Sequence, residues 1–522
     1  MQVSAVLKAF IEDELCEVHD REQRNLVRRL FSGLMDGTSK SLQLLTAISD
    51  AVTSGNDASE ILADFGDVPP AMKAILHRIS TFTLKDKNVS YASEAVDAQA
   101  FIDRQKAMLS VDHMFRHADI ADLRRAMFIL LGDRSDALRS SLRHGPGLTA
   151  EGLEGVDKNL AKADADILSA SYFKEIEEKW LPETTAVTRT RIRFVPKDWR
   201  RNRVIGMEPV WHMCAQLAVK SELERALLSW VPFKDQGRHR MKMCEAWDFE
   251  ITTVDLSEAS DRISVSLAQA ICPVSWFRQL NTIRTKEYEY KGSVGTTGSF
   301  ALMGNGFCFP FLSAVCLAMA FVACCRTFQM PLSRASFRYF QRRCGVSTFG
   351  DDLIIPSAAR DQLRALMTYC GLSVNDAKSG NDQFLECCGL YVFKGVKPYE
   401  LARLKDSGTG SQAILHQVAL QNSLFARGYL RSAAEIAKQL DGLPSTTQRG
   451  LRGVALFTDS DTKMRVNRKY QRREFQGVRL KKSERPCYLA DRSGVLAFIT
   501  RSLKQTEVST TTQLVYGWYP YL

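Results

Sequence analysis

Apolar positions recur at three- and four-residue intervals from the N-terminus to about residue 150, the period of amphipathic helices. This mainly helical region is predicted to break at residues 53–57 and 68–70, where glycine and proline interrupt the pattern. The period then changes. Residues 189–195 alternate, which predicts a strand with Arg189, Arg191 and Arg193 on one side. Residues 251–256 form a short apolar, β-branched run and predict a buried strand. A helix carrying Ile263, Val265 and Leu267 follows, with Ser257 or Ser260 as its cap. Two β-favouring runs, 346–349 and 353–355, flank Gly350-Asp351-Asp352 and predict a hairpin with adjacent carboxylates at its turn. An amphipathic helix over 360–372 and a second hairpin over 384–393 come next; from about 398 the chain reads as helical and then irregular.

One segment has the composition of a membrane span: residues 307–325 carry no charge over nineteen positions. A single crossing would leave Asp255 and Asp351 on opposite sides of a bilayer, so a helix buried in a large core is expected instead, with no membrane partner. The amphipathic start of the chain contains Glu12, Asp13 and Glu14, unlike the positive and then purely apolar start of a secretory signal.

Composition adds two facts. Seventy Lys and Arg against 59 Asp and Glu give a net charge of +11, which favours a polyanionic partner, nucleic acid before membrane. Thirteen cysteines without a C-x-x-C pair indicate neither a zinc ribbon nor a closed disulfide framework, and point to a reducing, cytosolic compartment.

The candidate chemistry lies in the acids and the cations. Carboxylates placed between apolar strands are costly unless paired or metal-bound, so Asp351 and Asp352 suggest a divalent cation. The stretch from Asp248 to Asp261 is a second acidic element, with Asp255 near a strand end and Asp261 at a helix start. Asn305, in Met303-Gly-Asn-Gly306, either caps the long apolar helix or reads a hydroxyl. Residues 189–203 hold seven cations and one acid, a one-sided arrangement suited to phosphate oxygens. Residues 463–485 hold ten cations and two acids, with Tyr470 and Phe475 interleaved, a composition that also grips single strands. His113 and His117 have metal-ligand spacing without a nameable third ligand, and Arg143-His-Gly-Pro-Gly147 is a rigid turn after a basic helix.

These motifs in this order resemble the palm of a template-directed RNA polymerase, and closely so the replicase subunit of single-stranded RNA phages of the levivirus or Qβ type. The carriers are Phe194-Val-Pro-Lys197 through Met207-Glu-Pro209, Thr253-Val-Asp-Leu-Ser257 with Ala259-Ser-Asp261, Met303-Gly-Asn-Gly306 and Phe349-Gly-Asp-Asp352. Lys378 and Glu386-Cys-Cys-Gly389 follow in the family's order. The resemblance spans about 190 to 400.

It implies an α+β right-hand fold. Residues 1–150 and 151–250 would contribute to the fingers, and 251–395 would form a palm with an antiparallel sheet and a finger insertion at about 276–298. Residues 396–522 would form the thumb and a basic C-terminal region. It also implies two Mg2+ ions about 3.5–4 Å apart, replaceable by Mn2+, on Asp255, Asp351 and Asp352. Lys378 is implied as proton donor, Lys197, Arg201 and Arg203 as triphosphate contacts, and Asp261 and Asn305 as readers of the ribose 2′-hydroxyl. Arg189, Arg191, Arg193, Lys469, Arg472 and Arg473 are the expected RNA contacts. Glu258 departs from the small residue expected there. Expected partners are a single-stranded RNA template and product, ribonucleoside triphosphates, host elongation factors Tu and Ts and, for some members, a ribosomal RNA-binding protein, in the cytoplasm of a bacterial host. Two other readings remain at this stage: a reverse transcriptase, against which Gly350 and Asn305 stand, and a basic RNA-binding protein without catalysis, which leaves the acids at two strand ends unexplained.

Overall fold

The computed structural model describes residues 3–34, 38–54, 60–65, 68–84, 91–110, 117–133, 145, 147–152, 189–245, 250–376, 378–401, 411–447, 455–459, 464–484 and 510–520. The chain forms two compact units. One comprises Met1–Ala92, Pro196–Arg201 and Leu401–Leu522; the other comprises Ser93–Val195 and Asn202–Glu400.

The second unit is built around the helix Cys308–Thr327, the segment with the composition of a membrane span. It is enclosed on all sides: 94% of its apolar window is buried, so its hydrophobicity serves a protein core. The helices His117–Leu131 and Arg360–Tyr369 pack along it, and Phe321 stacks on Phe337 with ring centroids 4.2 Å apart. Burying each such side chain stabilises the fold by about 1.5–3 kcal/mol. At the helix's C-terminal end, where a cation complements the dipole, Arg326 pairs with Asp119 and Asp122, each at 2.6 Å.

The strands of this unit are, in chain order, β1 (Thr190–Pro196), β2 (Asn202–Met207), β3 (Ile251–Val254), β4 (Leu256–Ser257), β5 (Glu287–Tyr290), β6 (Ser293–Thr296), β7 (Ser347–Phe349), β8 (Asp352–Pro356), β9 (Ser373–Val374), β10 (Phe384–Cys387), β11 (Leu390–Phe393) and β12 (Tyr399–Glu400). They form sheets ordered β2-β1-β5-β6, β3-β8-β7, β10-β11-β12 and β4-β9. The β3-β8-β7 sheet is antiparallel, with Val254 opposite Leu353 and Phe349 opposite Asp352. The hairpin expected over 384–393 is β10–β11.

Two local expectations change. The strand predicted over 251–256 stops at Val254, because Leu256 and Ser257 pair with β9 instead of continuing along β8. Neither Ser257 nor Ser260 caps the following helix. Glu258 takes a left-handed conformation (φ 55°) ahead of a single turn, Ala259–Arg262, and the next helix, Val265–Ile271, is capped by Ser264, whose Oγ accepts from the Leu267 N–H.

In the first unit the expected N-terminal helices are present, among them Val3–Glu14, Ser39–Ser54 and Pro70–Leu84. Arg78 donates to both carboxylate oxygens of buried Glu14, which also accepts from the Tyr429 hydroxyl at 2.9 Å, so a hydrogen bond ties this ion pair to a residue more than 400 positions further on. The region read as irregular contains sheets: β13 (Ser445–Thr446) with β14 (Leu456–Phe457), and an antiparallel set of β15 (Met464–Asn467), β16 (Arg472–Glu484) and β17 (Thr510–Pro520).

Candidate active site

The pairing of Phe349 with Asp352 leaves Gly350 and Asp351 as a two-residue hairpin loop. Gly350 lies at φ +71°, the sign required at the first position of a type II′ turn. A Cβ there would also meet Phe309 Cε2 at 2.7 Å. The Gly350 N–H donates to Ser313 Oγ at 3.1 Å, and Thr348 Oγ1 donates to the Gly350 carbonyl at 2.8 Å. The acid-bearing turn is thereby seated on the buried central helix.

Asp255 follows Val254 and Asp352 precedes Leu353, the last pair of the β3–β8 ladder, so both acids leave the same end of that ladder. Its own surroundings come from the loop after β9. Asn375 donates from Nδ2 to Asp255 Oδ2 at 2.9 Å, the Asp255 N–H donates to Ser379 Oγ at 3.2 Å, and Lys378 Nζ lies 3.6 Å from Asp255 Oδ2.

The electrostatics show that these groups share one region. The Asp352 carboxyl is pushed well above the usual range by burial, and further by Cys388, Glu386, Asp351 and Asp255. Burial pulls the Lys378 ammonium down, but Asp255, Glu386, Asp352 and Asp351 outweigh it and hold the value above that of an ordinary lysine. Hard carboxylate oxygens whose ionisation is opposed by burial and by their neighbours' charge fit a divalent cation, which would relieve both.

The other expected residues divide. Asp261 is buried and accepts from Arg104 Nη1 at 3.3 Å; the same guanidinium donates to Glu258 at 2.6 Å. Glu258 also pairs with Arg262, so its left-handed residue is tied by two arginines rather than free in solvent. Asn305 is buried, and its Oδ1 accepts from the Phe307 N–H. The Cys308 N–H donates to the Asn305 carbonyl, and the Cys308 thiol is pushed up by burial and by the charges of Asp261 and Asp351. Asp261, Asn305 and the acid-bearing turn therefore meet at the start of the central helix.

Arg191 and Arg193 on β1, and Arg189 just before it, are exposed as the alternation predicts, with Arg189 paired to Glu287 at 2.8 Å, and Arg203 is exposed on β2. Lys197 and Arg201 stand in the turn between these strands, closed by the Lys197 N–H to the Arg201 carbonyl, and that turn belongs to the first unit. Lys469, Arg472 and Arg473 are exposed at the β15–β16 turn, also in the first unit. His113, Arg143, Lys463 and Arg485 lie outside the described residues.

Arg104 and Asn375 were not anticipated. Asn375 had a usable signal, its place in the loop three residues before Lys378; Arg104, on a helix 154 residues before Glu258, had none.

The class defined by this fold and site is a mixed α/β protein with carboxylates from two strands and a lysine gathered beside a buried helix. Residues 167–404 match the family of the RNA replicase, beta-chain, and the resemblance to RNA phage replicases read from the motifs is borne out over that segment. The RNA-directed RNA polymerase subunit beta of Qbeta virus (strain MX1) is 32% identical over 206 residues, covering 39% of this chain and 33% of that protein. The RNA-directed RNA polymerase beta chain of Escherichia phage MS2 is 28% identical over 229 residues, covering 43% of this chain and 40% of that protein. The aligned segment thus spans between a third and two fifths of these relatives' length. Among solved structures, the RNA-dependent RNA polymerase of a human picobirnavirus overlaps 69% of this chain and 80% of its own, at 11% identity and a TM-score of 0.43.

Proposed function

We propose that this chain is a replicase subunit that copies single-stranded RNA from ribonucleoside triphosphates. The observation that carries the reading is the β3-β8-β7 pairing, which brings Asp255 and the Asp351-Asp352 turn from two separated stretches to one end of a sheet, with Lys378 Nζ 3.6 Å from Asp255 Oδ2. Under this reading β3-β8-β7 is the sheet of a palm spanning 251–395, with a finger insertion at about 276–298. Residues 1–250 contribute to fingers, and 396–522 form a thumb with a basic end.

Asp255, Asp351 and Asp352 would hold two magnesium ions, or manganese in their place, which supply activation of the 3′-hydroxyl and neutralise the leaving pyrophosphate. Asp255 is oriented for this by Asn375. Lys378 keeps a proton at Nζ for the departing phosphate oxygen. Asp261 and Asn305 read the 2′-hydroxyl, and Arg104 sets the Asp261 carboxylate. Lys197, Arg201 and Arg203 contact the triphosphate. Arg189, Arg191 and Arg193, with Lys469, Arg472 and Arg473, contact RNA. Host elongation factors Tu and Ts, a ribosomal RNA-binding protein and the bacterial cytoplasm belong to the same proposal through the family resemblance.

The test is RNA-templated incorporation of ribonucleotides with magnesium by the purified chain, alone and with the two elongation factors, comparing wild type with Asp351→Asn. Nucleotide addition should fall at least about 100-fold while RNA binding holds. Joint loss of binding and synthesis would make Asp351 structural, and preference for deoxynucleotides would make the protein a reverse transcriptase.

A further inference from the structure

We propose that His239, Cys387 and Cys388 form a second metal site, for a soft divalent ion of the zinc class, beside the acid-bearing hairpin and next to Asp352. One ligand atom from each residue lies within 4.8 Å of the other two. His239 and Cys387 are fully buried and Cys388 partly so. Ligands on a tetrahedral zinc, with bonds of about 2.3 Å to sulfur and about 2.0 Å to nitrogen, stand roughly 3.3–3.8 Å apart, so side-chain adjustments of about an ångström close the site.

Two features of the backbone and the hydrogen bonding favour a ligand role. Neighbouring residues of a strand point to opposite faces, so adjacent cysteines do not ordinarily share a ligand. Cys388 breaks that rule: it takes φ +52° at the turn after β10, which lets its sulfur join that of Cys387. His239, on the helix Gln236–Glu245, is oriented by a 2.8 Å hydrogen bond between Nδ1 and Ser347 Oγ on β7. Its Nε2 is buried with no hydrogen-bond partner among the described residues. A histidine fixed through one ring nitrogen, with the other left bare, has the disposition of a metal ligand held by an outer-shell partner.

Donor chemistry separates this site from the carboxylates. Thiolate sulfur and imidazole select zinc-like ions and reject magnesium. Binding would release one proton from each thiol to solvent, and a divalent ion with two thiolates and a neutral imidazole carries no net charge. Water can take the fourth position. The Cys388 thiol now donates to Asp352 Oδ2 at 3.1 Å. Once its proton is lost, that donation ends, so metal binding here would release the Asp352 carboxylate from Cys388. The metal would also fasten the β10–β11 hairpin to β7 through His239 and Ser347.

The experiment measures metal in the full-length protein, purified without chelators and dialysed against metal-free buffer. About one zinc per chain is expected. Replacement with cobalt should give a sulfur-to-cobalt charge-transfer band that disappears in Cys387→Ser/Cys388→Ser and weakens in His239→Asn, each checked for folding by circular dichroism. The site should persist in Asp351→Asn, whether or not that variant synthesises RNA, which separates this inference from the polymerase reading. Folded wild-type protein holding less than about a tenth of an equivalent of zinc and giving no such band with cobalt would overturn it. Because the decision rests on wild type, misfolding of a variant does not shelter the proposal.

Discussion

Asn375 grips Asp255 twice: its side-chain Nδ2 donates to the Asp255 carboxylate at 2.9 Å, and its backbone N–H donates to the Asp255 carbonyl at 2.9 Å. One residue therefore fixes both the chain path and the carboxylate orientation where β3 gives way to β4. Loss of an outer-shell partner of this kind typically lowers metal affinity or activity by about 10- to 100-fold. Asn375→Ala should therefore raise the magnesium needed for half-maximal synthesis by a factor in that range, while thermal stability falls little. An unchanged magnesium requirement would limit Asn375 to a structural role.

Gly350 is constrained by its backbone and by its neighbour. A side chain at φ +71° costs about 1–3 kcal/mol, and an added Cβ would meet Phe309 Cε2 at 2.7 Å. Gly350→Ala should lower the melting temperature and displace the turn carrying Asp351, with nucleotide addition falling more than RNA binding. Phe309→Ala added to it should recover the steric share of the loss and leave the backbone share. Full recovery in the double variant would show that the left-handed conformation was immaterial.

Asp255 and Gly350 also mark how far the sequence could be read. The Gly-Asp-Asp hairpin was legible because turn chemistry is local: a glycine that tolerates positive φ between two β-favouring runs specifies its own geometry. The central helix was legible by its uncharged length, and its burial followed once Asp255 and Asp351 were required on the same side of it. The end of β3 was not, because Asp255 terminates the strand through Asn375, 120 residues later. Nor was the left-handed Glu258, whose partner Arg104 comes from a distant helix. The C-terminal sheet escaped for a related reason. β16 is a basic strand with few apolar residues, and its register, with Gln476 opposite Trp518, depends on chain some forty residues further on.

The raised Asp352 carboxyl has a consequence for pH. A carboxyl whose folded value lies above its unfolded one, here above 3.8, costs the fold stability when it ionises. In metal-free protein its contribution is therefore complete below the unfolded value and is lost as pH rises through the folded one. Cation binding must displace the same proton, so magnesium affinity should increase with pH across that window and the added metal should restore stability on its alkaline side. Thermal melts with and without magnesium over a pH series check this, and an Asp352→Asn variant should flatten both trends. A magnesium-induced rise in melting temperature that is constant with pH would remove Asp352 from the cation site.

The basic turn between β15 and β16 separates two neighbouring arginines. Arg472 is committed within the protein: it pairs with buried Glu474 at 3.1 Å, alongside Arg465 at 2.7 Å, and lies 4.9 Å from the Tyr470 ring centroid. Arg473 is exposed on the next position of the strand. A guanidinium already held by a carboxylate gains less from a phosphate than one surrounded by water, so the two should contribute unequally to RNA affinity. Removing one cation from a phosphate of single-stranded RNA reduces the slope of log affinity against log salt by about 0.7. Arg473→Gln should flatten the slope by nearly that amount, and Arg472→Gln by clearly less while also loosening the turn. Filter binding or fluorescence anisotropy over a salt series reads both, and slopes that match wild type in both variants would take this turn off the RNA-binding surface.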